Sequence, residues 1–425
     1  MRAVIYPGSA RGRVRVPSSK SISHRALLAA ALAEGQTVLE GLDRSEDLRA
    51  TANAVRAFGA SARWLPGGRM RLTGCGFPAP PARPIDCGES GSTLRFLIPL
   101  LALTGKPVTL TGRGRLLQRP QQVYARLFAE RALPFASTSK GLSFCGPLAA
   151  GEYRLSGAVS SQFITGLLLA LPLAEGDSVL RIDPPFESRS YVELTLSVLS
   201  SFGIHPVWDG PLTLRIPGGQ RYRPAGHFAI EGDYSQAAFF AALGALSGEV
   251  KCQNLSPASA QGDRVILDFL ARMGAPLQRS ADGISARRAP LGAGCFDLAD
   301  CPDLGPILMV LCCFAAGRSR IEHAGRLRLK ESDRIAAMQT ELAKLGLGVA
   351  CQGDTLSIQG IGEGYCHAPD RPLWGWNDHR VVMSLAVAAA RADGPVAIEG
   401  AEAVGKSYPH FFADLQRAGI RVELI

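Results

Sequence analysis

The sequence predicts an α/β protein of two globular halves, each built from three βαβαββ units. Three observations carry that expectation. Two kinds of helical segment alternate along the chain, each ends on a glycine or a substitute and runs into a β-type stretch, and both sets of endings recur with one spacing. At roughly 150 residues per domain, a chain of 425 residues has room for two or three domains.

The first kind of segment is a small-residue apolar helix that stops at Gly or Ala-Gly. It occurs at 25–42, 95–112, 163–182, 237–255, 306–324 and 381–400. The closing glycines, Gly35, Gly105, Gly176, Gly248, Gly317 and Gly394, are 70, 71, 72, 69 and 77 residues apart. The second kind is amphipathic and occurs at 48–64, 123–137, 192–208, 264–278, 335–351 and 411–424. It closes at Gly59, Ala132, Gly203, Gly274, Gly346 and Gly419, with steps of 73, 71, 71, 72 and 73. Helices apolar nearly all round belong in a core, and those with one polar face lie nearer the surface. A unit of about 71 residues with two unlike helices is too long for a solenoid repeat, so two halves of three units are expected. The first strand is read at Arg13 to Val16 and has to complete the half formed by the C-terminal units. The boundary falls near Ala229 to Gly232, so residues 1–18 join 231–425 as one domain and 19–230 form the other.

Composition excludes several classes. Hydrophobic residues at 47% and charged residues at 20% rule out disorder. The longest apolar stretches, Phe163 to Ala174 and Leu304 to Ala316, fall short of the roughly 18 residues that span a bilayer. The opening residues lack a secretory signal pattern, which leads us to expect a cytoplasmic protein. Ten cysteines form no CxxC pair, and the adjacent Cys312 and Cys313 sit in an apolar run that suits buried thiols. The seven histidines have no ligand spacing, so no metal is expected. A net charge of +9 favours anionic partners without choosing among them.

Chemistry gathers where the helices begin. Ser92, Thr93, Asp233 and Ser235 are most simply read as N-caps. Cations are harder to explain there, because the positive end of the helix dipole disfavours them by about 0.3–1 kcal/mol. Lys20, Arg25 and Arg380, with Arg119, Lys330, Arg334 and Lys406 in the second helix class, all lie at or near such ends. Bound anions would compensate, and cations in corresponding places are expected to converge on one cleft between the halves. Two acids stand among them. Asp303 follows Pro302 at the start of an apolar helix, where a plain N-cap is the simple reading. Glu331 lies between Lys330 and Arg334, where the simple reading is an ion pair with Arg334.

Six segments carry a resemblance: 19–25 (SKSISHR), 88–95 (GESGSTLR), 118–120 (QRP), 160–163 (SSQF), 330–334 (KESDR) and 377–380 (NDHR). In this order they resemble the signature segments of the 5-enolpyruvylshikimate-3-phosphate synthase family, across the full chain. The resemblance implies the two-domain inside-out α/β barrel of the enolpyruvyl transferases. It implies transfer of the enolpyruvyl group of phosphoenolpyruvate to the 5-hydroxyl of shikimate 3-phosphate, on the route to chorismate and aromatic amino acids, by a monomer that uses no metal or cofactor and closes its domains on substrate. Carried over by position, Lys20, Gly91, Arg119, Gln162, Arg334, Arg380 and Lys406 surround phosphoenolpyruvate. Lys20, Ser21, Arg25, Ser160, Ser161, Gln162, Ser188, Tyr191, Asp303 and Lys330 hold shikimate 3-phosphate. Lys20, Asp303 and Glu331 carry the acid–base work. Gly91 leaves room near phosphoenolpyruvate, which in the family goes with glyphosate binding.

Two positions depart from the family pattern, Glu89 and Arg326, where Asn is more usual, and the two charges suit each other as partners. The rival transferase acting on a UDP-sugar presents a Cys acid on a mobile loop, and residues 111–122 contain none. Nucleic-acid binding is disfavoured by aromatic residues at only 7% and by the single short basic cluster, Arg11, Arg13 and Arg15. A non-catalytic relative is disfavoured by the presence of Lys20, Asp303, Glu331 and Lys406.

Overall fold

The computed structural model describes all residues from Met1 to Ile425. Twelve α-helices follow one another: α1 (Lys20–Leu32), α2 (Glu46–Ala57), α3 (Gly91–Ala102), α4 (Gln122–Glu130), α5 (Ser161–Ala170), α6 (Arg189–Ser201), α7 (Tyr234–Ser247), α8 (Ile266–Arg272), α9 (Gly305–Cys313), α10 (Arg334–Lys344), α11 (His379–Ala389) and α12 (Phe411–Arg417). The odd-numbered helices are the apolar class. Every residue of α7, α9 and α11 is buried. The even-numbered ones bury one face, as in α2, where Leu48, Thr51, Ala52 and Val55 point inward at helical spacing.

Strands form six mixed sheets with one pairing scheme, a parallel pair extended by antiparallel neighbours. In the sheet around α3, Ile85–Asp86 runs parallel to Val108–Thr111, which is antiparallel to Gly141–Phe144. The parallel pair is joined through the apolar helix, the usual crossover. Two sheets break that local rule. Arg11–Arg15, just ahead of α1, pairs in parallel with Glu249–Gln253 beyond α7, whereas Gly226–Ala229, just ahead of α7, pairs with Gly35–Glu40 beyond α1.

The chain divides into two compact units, one of Met1–Ser18 with Glu231–Ile425, the other of Ser19–Ile230. Each has its own apolar core, with α7, α9 and α11 central to the first and α1, α3 and α5 to the second. The strand expected at Arg13 to Val16 is Arg11–Arg15, and an earlier one escaped the sequence reading. Arg2–Ile5 lies between Val396–Glu399 and Val422–Leu424, antiparallel to both. Its four residues are too few to show a period, and its partners, Val396–Glu399 and Val422–Leu424, stand near the other end of the sequence.

The glycine-type endings have a common geometry. Gly59, Ala132, Gly203, Gly274, Gly346 and Gly419 all adopt positive φ, so Ala132 holds the left-handed conformation (φ 52) that its counterparts hold as glycine. Gly248 differs. Its backbone is extended, and a Cβ there would collide with the Ala10 carbonyl oxygen, so close approach of two chain segments excludes any side chain.

Candidate active site

Helix starts place the polar residues of the unit 19–230. Ser19 caps α1, accepting from the Ile22 amide, and Lys20 follows as the first helical residue. Its ammonium pairs with Asp47 Oδ2 at 2.9 Å, in the first turn of α2. One turn on, Arg25 is 2% exposed and donates to Thr195 Oγ1, Thr165 Oγ1 and the carbonyls of Ser21 and Tyr191. Burial pulls its guanidinium down to about 10. Between these cations, buried His24 bonds Thr51 Oγ1, which meets Thr93 Oγ1 at 2.6 Å, and Thr93 donates to Ser90 Oγ. Burial first, then Lys20 and Arg25, hold this imidazole well below its ordinary value of 6.5.

Ser90, rather than Ser92 or Thr93, caps α3. Gly91 is the first residue of that helix, and the Arg119 guanidinium lies over it so closely that a Cβ would meet Nη1 at 2.6 Å. Arg95, which sequence reasoning did not single out, ties this corner together. It donates to Gln162 Oε1 at 2.9 Å and to the Pro120 carbonyl at 2.9 Å, with its guanidinium 4.6 Å from the Phe163 ring centroid. Gln162 in turn donates to Ser92 Oγ. Ser160 caps α5 and Ser161 opens it, while Ser188, with φ 56, precedes α6. Thus Gly91, Arg119 and Gln162 form one group, and Ser21, Arg25 and Tyr191 another.

The other unit holds a denser ionic cluster. Asp303 lies in a 3₁₀ turn, Pro302–Leu304, ahead of α9, and caps no helix. Its carboxylate receives Lys330 Nζ, Arg334 Nη1 and Arg380 Nη2, each at 3.1 Å. Arg334 opens α10, is 1% exposed and also reaches Glu331 Oε2 at 2.7 Å and Asp378 Oδ2 at 2.8 Å. Burial works against its charge, but Asp378, Glu331 and Asp303 outweigh burial and hold the guanidinium above its ordinary value. Asp378 caps α11, accepting from the Arg380 amide and from Ser332 Oγ. Burial pushes its carboxyl up, yet Arg334 pulls it further down, leaving it below the usual carboxylate range. Burial draws the Lys330 ammonium below its ordinary value, with Asp303 opposing. Arg380 donates to Ser235 Oγ at 2.8 Å, and Ser235 donates to Asp233, the true cap of α7. Lys406 is 5% exposed and donates to the Asn377 carbonyl at 2.6 Å.

The helix-terminus expectation therefore holds for Lys20, Arg334 and Arg380, whereas Arg25 lies a turn further into α1 and three others need correction. Arg119 and Lys330 directly follow 3₁₀ turns (Leu116–Gln118 and Gly325–Leu329) and Lys406 ends one (Ala401–Lys406), the three turns coming just before α4, α10 and α12. Of the two departures from the family pattern, Arg326 donates to the Ala299 carbonyl and Glu89 stands against Gly114. Besides Arg95, the sequence reading passed over Asp47 and the grip of Asp378 on Arg334. A lone Asp at a helix start shows nothing of a partner 44 positions away. No three His, Cys, Asp or Glu side chains are placed to hold a metal ion, and no helix is long and apolar enough to cross a membrane.

Comparison with known proteins points one way. Residues 6–415 match the model of the family described as EPSP synthase (3-phosphoshikimate 1-carboxyvinyltransferase). The chain is 38% identical over 421 residues to a 3-phosphoshikimate 1-carboxyvinyltransferase of Clostridium kluyveri, covering 99% of this chain and 97% of that one. It is 37% identical over 422 residues to that of Clostridium acetobutylicum, covering 98% and 96%. Among solved structures, EPSP synthase from Acinetobacter baumannii superposes with a TM-score of 0.82 at 27% identity over both whole chains. The enolpyruvyl transferase NikO from Streptomyces tendae shares the fold, with a TM-score of 0.77 at 18% identity over 99% and 98% of the two chains. With its α/β architecture, its ordered motifs and a match across nearly its whole length, the chain belongs to the EPSP synthase family.

Proposed function

We propose that the protein transfers the enolpyruvyl group of phosphoenolpyruvate to the 5-hydroxyl of shikimate 3-phosphate and releases phosphate, acting as a cytoplasmic monomer without metal or cofactor. The single observation that carries this reading is the meeting of three cations on Asp303, a preorganised field for anions of the kind both substrates present. Lys20, Arg119, Arg334, Arg380 and Lys406, with Gly91 and Gln162, hold phosphoenolpyruvate. Lys20, Ser21, Arg25, Ser160, Ser161, Gln162, Ser188, Tyr191, Asp303 and Lys330 hold shikimate 3-phosphate. The architecture that goes with the reading is the inside-out α/β barrel of six units, three per domain.

In the first step Asp303 takes the proton of the 5-hydroxyl as its oxygen attacks C2 of phosphoenolpyruvate. Glu331, with Lys20, delivers a proton to the methylene carbon. The tetrahedral adduct then expels phosphate by breaking the C2–O bond, and loss of a proton from the new methyl group restores the double bond. Positioned acids and bases contribute about 10²–10⁴-fold each. A phosphate-release assay tests the reading. Turnover is expected with phosphoenolpyruvate and shikimate 3-phosphate and not with UDP-N-acetylglucosamine as acceptor. Asp303→Ala and Glu331→Gln are expected to lower kcat by about 10²-fold or more. Near-normal turnover in either variant would remove it from the mechanism.

A further inference from the structure

Glu341 is a buried carboxylate that the reaction above does not use. It is 1% exposed and lies seven residues, two helical turns, after Arg334 on α10, so both project from one face of the helix. A carboxylate so buried is retained only with its oxygens fully engaged. Here Oε2 accepts the Trp374 amide at 2.8 Å and Lys344 Nζ at 2.7 Å, and Oε1 accepts the Trp376 indole N–H at 3.0 Å. Two of these three donors belong to the segment that leads into α11.

That segment is held in an unfavourable conformation. Trp376 and Asn377 both have positive φ, 52 and 51, and two consecutive non-glycine residues in the left-handed region persist only where surrounding contacts enforce it. The same conformation delivers the Asn377 carbonyl to Lys406 and leads directly to Asp378, which grips Arg334 and caps α11 ahead of Arg380. One face of α10 thus clamps the segment at two points, Arg334 on Asp378 and Glu341 on Trp374 and Trp376.

We propose that Glu341 is a positioning residue for phosphoenolpyruvate: by hooking Trp374 and Trp376 it fixes the strained turn that sets Lys406, and with it the cations flanking Asp378. The inference rests on the function proposed above, which places Lys406 against phosphoenolpyruvate. The test compares steady-state kinetics of the protein with those of Glu341→Gln and Trp376→Phe, the latter removing the indole N–H together with part of the ring's packed bulk while keeping an aromatic side chain. Both variants are expected to raise KM for phosphoenolpyruvate about ten-fold, while KM for shikimate 3-phosphate stays within about two-fold. Because Trp376→Phe leaves the carboxylate and its pairing with Lys344 in place, it decides the matter should Glu341→Gln fold poorly. Lys344→Ala, which removes the outer partner alone, is expected to leave both KM values within about two-fold. An unchanged KM for phosphoenolpyruvate in Trp376→Phe, or equal rises for both substrates, overturns the proposal. A parent protein that does not turn over these substrates overturns the functional reading instead.

Discussion

Gly91 has no room for a methyl group as the site stands. A Cβ would sit 2.6–3.0 Å from the Arg119 guanidinium, the movable end of a long side chain, so the guanidinium must yield. Gly91→Ala is expected to cost less than about 1 kcal/mol of stability while raising KM for phosphoenolpyruvate about ten-fold, read by thermal melts beside steady-state kinetics. His24 gives a pH prediction. Folded, it resists protonation, whereas unfolded it titrates at its ordinary 6.5, so the unfolded chain binds more protons as pH falls below that value. Stability should drop by about 1.4 kcal/mol from this group between about pH 7.5 and 5.5. Denaturant titrations at both pH values, repeated on His24→Gln, should show the smaller drop in the variant. Single motifs marked Asp303, Lys330, Glu331, Arg334 and Arg380, and the structure gathers those five into one cluster. Arg95 closes the segment 88–95 yet received no role, because only the fold brings Gln162 and Pro120 to its guanidinium.

At the scale of elements, the helix endings were the readable part. A residue in the left-handed conformation is nearly always glycine, so the spacing of glycines traced the ends of the even-numbered helices. Ala132 is where that preference is violated. Ala132→Gly should stabilise the protein by about 0.5–1 kcal/mol, since the penalty for a Cβ in this region exceeds the entropy cost of glycine. A chemical-denaturation midpoint that does not rise argues that α4 ends under constraints from elsewhere. The 3₁₀ turns that lead to Arg119, Lys330 and Lys406 were not readable, because a turn of three to six residues has no 3.6-residue period to detect. Their sequences resemble helix starts only because an α-helix follows within a few residues.

For the whole molecule, the excess of 9 positive charges and the buried cations of both units make the encounter with anionic substrates electrostatically assisted. The ratio kcat/KM should fall several-fold as ionic strength rises from about 0.01 M to about 0.15 M, with less change in kcat, because screening weakens long-range capture more than it weakens contacts between groups already touching. Equal losses in both parameters argue that salt acts on the chemistry itself. The pairing of Arg11–Arg15 with Glu249–Gln253 shows what sequence patterns cannot convey, since strand partnership depends on contacts more than 230 residues apart.

That pairing also bears on how the protein is made. Arg2–Ile5 and Arg11–Arg15 leave the ribosome well before the strands that flank them, which come from residues 249–253, 396–399 and 422–424. At translation speeds of about 5–20 residues per second, they wait on the order of ten seconds or more without neighbours while Ser19–Ile230 is synthesised. Arginines at positions 2, 11, 13 and 15 give those waiting segments the charge that discourages nascent chains from sticking to one another.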